Sequence, residues 1–201
     1  MAGINNWISS TIDIIKITTN AYNAVSDDEH LPGTFHEAGR GLVLIETALR
    51  TAQKQQGGDL QHAVSSMEAC NTKAKLSQGI FEDVAQAPEA SRFERYKAAM
   101  RREGEENKVE VLVQGMMKDV SDLARDGVVG AAMKDQVKGL RDAIDRLSAM
   151  EPSVPNEHGG GSYVNHGSGN QFITRGGTQN NNTGSGNQFL GTTFTGSVSF
   201  G

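Results

Sequence analysis

The sequence predicts an all-α bundle of about five helices over residues 1–150, followed by a tail that is disordered in the monomer and turns cross-β on assembly. Three observations carry this. Apolar residues recur at three- and four-residue steps through the first 150 positions, the periodicity of helices with one buried face. Charge is confined to that part, since 18 of the 19 Lys and Arg and 23 of the 24 Asp and Glu precede residue 156. The remainder concentrates Gly, Asn, Ser and Thr around Tyr163, Phe172, Phe189, Phe194 and Phe200, too few apolar residues for a core of its own.

The first helix is set by Ile4, Trp7, Ile8, Ile12 and Ile15, continuing toward Tyr22 and Val25, and ends before Asp27. Leu31-Pro32-Gly33 makes the turn. Thr34 and Glu37 have the spacing of a capping box, and the helix behind them aligns Phe35, Ala38, Leu42, Ile45 and Leu49 before Gly57-Gly58 stops it. A third helix, from about Asp59 to Val84, carries Leu60, Val64, Met67, Cys70, Ala74 and Phe81 and is closed by Pro88. Ser91 to Arg102 and Lys108 to Ala124 form either one helix interrupted near Gly104 or two; the second half has the cleanest stripe, Val109, Leu112, Val113, Met116, Met117, Val120 and Leu123. A last helix runs from Val128 to Met150 with Val129, Met133, Val137, Leu140, Ile144 and Leu147 inward. Pro152, Pro155 and Gly159 to Gly161 mark a helix stop and a flexible linker, so the divisions are 1–150 bundle, 151–162 linker and 163–201 assembling motif.

Composition excludes several functions. A net charge of -5 and a pI near 5.5 give no global attraction to nucleic acid. The lone Cys70 forms no internal disulfide and no several-cysteine zinc site, which fits a reducing cytoplasm. The stretch from Met1 to Ile17 lacks a basic leader and is interrupted by Asn5, Asn6, Asp13 and Lys16, so it reads neither as a signal peptide nor as a membrane span. His30, His36, His62, His158 and His166 have no metal-ligand spacing, Gly167-Ser168-Gly169 and Gly184-Ser185-Gly186 lack the Lys of a phosphate loop, and no nucleophile elbow occurs. No enzyme activity, cofactor or metal is therefore expected. The acidic pairs Asp27-Asp28 and Glu105-Glu106 read as solvated charge at helix ends. Arg92, Arg95, Lys97, Arg101 and Arg102, interleaved with Phe93, Tyr96 and Met100, form the one basic cluster; Glu94, Glu103, Glu105 and Glu106 dilute it, and a solvated helix face outweighs a lipid-binding one.

The tail holds a repeat. With a shift of 17 residues, Asn165-His166-Gly167-Ser168-Gly169-Asn170-Gln171-Phe172 falls on Asn182-Thr183-Gly184-Ser185-Gly186-Asn187-Gln188-Phe189, and seven of eight positions agree. Ile173 over Leu190 continues the match. A linker has no reason to keep amides and aromatics in register, whereas stacked strands do, because like amides form hydrogen-bond ladders and like aromatics stack along a cross-β axis. Each copy supplies one rung, with Gln179 in the connecting Gly176 to Asn181 segment and the glycines at the turns.

Phe35-His36-Glu37-Ala38-Gly39-Arg40-Gly41-Leu42, Leu44-Ile45-Glu46-Thr47-Ala48-Leu49, Arg95 to Met100, Asn107 to Glu110 and Asp119 to Ala124 resemble blocks of the fungal SesA/HeLo-like domain, often found at the N-terminus of NACHT-type receptors. The tail, above all Gly177 to Gln188, resembles fungal amyloid signalling motifs of the sigma or pseudo-palindromic type. The resemblance implies a cell-death effector. A NACHT/STAND-type receptor with a matching motif seeds the tail, the chains self-assemble, and the helical domain leaves its resting bundle in the cytoplasm to permeabilise the plasma membrane, as in heterokaryon incompatibility. Ile4, Trp7, Ile8, Ile12 and Ile15 would meet lipid. The competing reading is a signalling adaptor that polymerises through its tail and recruits other helical domains.

Overall fold

The computed structural model describes residues 2–55, 60–125 and 127–155, and these are helical throughout apart from turns and the final extended segment. Seven α-helices occur among them: α1 Ala2–Asn23, α2 Gly33–Gln53, α3 Val64–Ala85, α4 Arg92–Glu103, α5 Val109–Ser121, α6 Gly127–Ala132 and α7 Lys134–Ala149. The fold class is the all-α one that the periodicity predicts. The candidate stacking residues from Asn165 to Phe189 lie outside the described residues.

Long helices alternate in direction. Gln53 Nε2 donates to Ser9 Oγ at 2.9 Å while Tyr22 meets Phe35, so α1 and α2 are antiparallel. Asn71 donates to Ser10 and Thr11 while Tyr22 meets Phe81, so α3 runs parallel to α1. α5 packs on α2 and α3, and α7 lies across α2 and α5. Between them sits one core: Ile8, Ile15, Phe35, Leu42, Ile45, Met67, Phe81, Met116, Met117 and Leu140 are fully buried. At one end Phe35 is ringed by Phe81 at 4.8 Å, Tyr96 at 5.1 Å and Tyr22 at 6.5 Å, an aromatic cluster drawn from α1, α2, α3 and α4.

Backbone punctuation explains the two helices beyond the five expected. Gly104 adopts φ +95, open to glycine and costly for any residue with a Cβ, so α4 and α5 are separate helices. The expected last helix is divided at Met133, with α6 before it and α7 after. The Thr34–Glu37 capping box does not form. Pro32 holds the N-cap position without a side-chain bond, Thr34 Oγ1 donates instead to Glu151 O at 2.5 Å, and Glu37 is drawn to Arg40 and Arg146. A tertiary partner has outcompeted the local one.

Candidate effector helix and tail junction

The first part of the site is α1. Ile4, Ile8, Ile12 and Ile15 all face inward and are buried, Ile8 and Ile15 completely, while Trp7 is half-buried on the flank. The 3.6-residue period places them there, and α2 and α3 cover them. Thr11 and Thr18 interrupt the stripe without stranding a hydroxyl, since Thr11 Oγ1 accepts from Asn71 Nδ2 at 3.1 Å and Thr18 Oγ1 donates to Ile14 O at 2.8 Å. The stripe is therefore committed to protein and meets lipid only if α1 leaves the bundle. Sequence reading overlooked Ile14, Ile17 and Ala21, which with Trp7 form a second apolar flank beside the first; Ile17 is 47% exposed. No helix among the described residues is long and apolar enough to cross a membrane.

The basic helix α4 is tied down by acidic partners. Arg102 pairs with Asp83 at 2.9 Å and Glu103 at 2.7 Å, Arg95 approaches Asp83 at 3.8 Å, and Lys97 reaches Glu94 and lies over the Phe93 ring. Arg92 meets Asp28 at 3.1 Å. This corrects the expectation of solvated charge at Asp28, whose side chain is 1% exposed, while Asp27 is exposed as expected. Burial alone would raise its pKa, but the His30 N–H and the Arg92 guanidinium outweigh that and hold the carboxyl below its ordinary value. His30 and Glu89 lie near it, and its oxygens accept from the His30 N–H and from Arg92. Cys70 is buried, and burial pushes its thiol up, away from reactive thiolate.

The tail junction is the part that sequence reading missed. The linker expected from residue 151 starts on the bundle: residues 151–155 lie against it, with Ser153 and Val154 buried. Buried Glu110 receives the Ser153 N–H at 3.0 Å and the Ser153 hydroxyl at 2.7 and 2.9 Å. Tyr96 Oη lies 2.6 Å from the same hydroxyl oxygen, and Lys108 Nζ donates to Val154 O at 2.8 Å. Burial, helped by the Glu110 carboxylate, pushes the Tyr96 phenol up, so it stays neutral and able to donate. The isolated polar residues Glu110 and Lys108 at the edge of an apolar stripe were the available signal.

Two family models match. One, SesA, described as an N-terminal domain on NACHT NTPases and P-loop NTPases, covers residues 8–123; the other, the sigma domain on NACHT NTPases, covers residues 160–201. The first spans more than half of the sequence, and the chain belongs to the SesA family. Of the two motif types open to the tail, the match is to sigma. Both domains link the chain to signalling by NACHT-type receptors. No curated protein and no solved structure matches the chain significantly.

Proposed function

We propose that the chain is a non-enzymatic cell-death effector switched on by amyloid templating. A NACHT/STAND-type receptor with a matching sigma motif seeds the tail, the tails stack into a cross-β array, and the crowded bundles release α1 to permeabilise the plasma membrane. The supporting observation is the presence on one chain of a SesA domain over 8–123 and a sigma domain over 160–201 whose repeat keeps Asn, Gln and Phe in register. One released α1 binds lipid weakly, but an array multiplies that affinity through its effective local concentration. The resting protein is cytoplasmic on this reading, and it needs no cofactor, metal or nucleic acid.

The adaptor reading draws on a specific observation, the absence among the described residues of a helix able to cross a membrane, together with the burial of the α1 stripe. Seeding the full chain with fibres of the 160–201 peptide beside anionic liposomes separates the two. The effector reading expects dye release only after seeding; fibres that form without release favour the adaptor.

A further inference from the structure

We propose that residues 151–155 are a latch that fastens the aromatic end of the bundle and is pulled off when the tail assembles. The trigger rests on the function proposed above; the fastening rests on contacts within the bundle.

The strap is held at three places on three elements. Glu151 O accepts from Thr34 at the start of α2, Ser153 bonds Glu110 of α5 and Tyr96 of α4, and Val154 O accepts from Lys108 at the N-cap of α5. Ser153 is the hub, for its single hydroxyl proton goes to Glu110 while its lone pair takes the Tyr96 phenol. Tyr96 packs on Phe35, and Phe35 on Phe81 and Tyr22, so strap contacts continue through four rings to the C-terminal turn of α1. Seated, the strap bonds Glu110 (6% exposed) and Lys108 (5% exposed), both buried residues. With the strap away the enclosed Glu110 loses the Ser153 N–H and hydroxyl, a costly change that entering water would offset.

Geometry supplies the load. Adjacent strands stack about 4.7–4.9 Å apart, so a chain contributing two rungs advances a stack by about 10 Å. A bundle of this length is about 40 Å across from its expected radius of gyration. On the proposed assembly, tails stacked in register would leave the stack from one side, so successive bundles would have to fan outward. The nine residues 156–164 between strap and first repeat reach at most about 30 Å, and freeing five strap residues adds about 17 Å. Strap release is the first extension available to a crowded array.

Hydrogen exchange on the full chain tests this, with 160–201 peptide fibres as seed. In the unassembled protein Ser153→Ala should raise exchange at the residue-153 amide, which is bonded to Glu110, at least tenfold and open Lys108 to trypsin, with helical circular dichroism unchanged. Unchanged strap protection in that variant overturns the fastening role. On seeding, the wild-type strap should lose protection, whereas a variant with twenty Gly/Ser residues inserted after Gly160 should form fibres with its strap still protected. Equal strap behaviour in wild type and insertion variant overturns the latch even when fibres form. Failure of the wild-type tail to form fibres overturns the assembly trigger and the function it rests on, and the Ser153→Ala arm still decides the fastening.

Discussion

Gly39 sets how closely α1 approaches α2. A Cβ at this position would fall within the Tyr22 ring, and the ring is fixed by Phe35 and Phe81, so it has little room to yield. Gly39→Ala should lower stability by about 1–3 kcal/mol, the usual range for overpacking, read as a lower midpoint in a thermal or urea melt. An unchanged midpoint would mean that the helices separate freely at this crossing. Asp28 and Glu37 govern the acid limb: burial raises both carboxyls, but Arg92 with the His30 N–H, and Arg40 with Arg146, bring them below their ordinary values. A lowered native pKa gives stability that is present above the unfolded value, about 4, and lost as pH falls through the native one. Asp119, raised by burial despite Lys73, works in the opposite sense, contributing more as pH falls. Stability should therefore decline below about pH 4, and the Asp28→Asn melt should show a shallower decline there than wild type.

Helices were legible wherever one face is apolar and the next residues break the chain. α1, α2 and α5 follow from their stripes alone, and Gly104 marks the gap between α4 and α5 once its positive φ is seen. What was not legible depended on partners distant in sequence. Thr34 has the right neighbour for a cap but bonds Glu151, 117 residues away, and Asp28 looks like a helix-end charge until Arg92 arrives from α4. The strap has no periodicity at all; only tertiary bonds to Glu110, Tyr96 and Lys108 define it. Two element-scale predictions follow the proposed roles. Gln171→Pro or Gln188→Pro should abolish fibre formation by the tail, since proline removes a ladder donor, while Ser162→Ala leaves it intact; equal effects from all three would point to bulk composition. Deleting Met1 to Ser10 should leave seeded fibres intact but abolish liposome leakage, provided circular dichroism shows the bundle folded. Undiminished leakage would move the membrane-active element away from α1.

The whole molecule divides its labour by composition. Charged and apolar residues alternate through a bundle that buries its helical stripes, and nearly uncharged repeats fill the C-terminal part. Burying each large α1 side chain is worth about 1.5–3 kcal/mol, so release of the helix requires that lipid replace protein around it. On the proposed reading, assembly would supply both the proximity and, through the strap, the pull. The most direct test of the central claim measures dye release from anionic liposomes by the full chain and by residues 1–155, each with and without fibres of the 160–201 peptide. Release by the seeded full chain alone is the expected result. Release by residues 1–155 without a tail, or fibre formation by the full chain with no release, would contradict activation of the bundle through its tail.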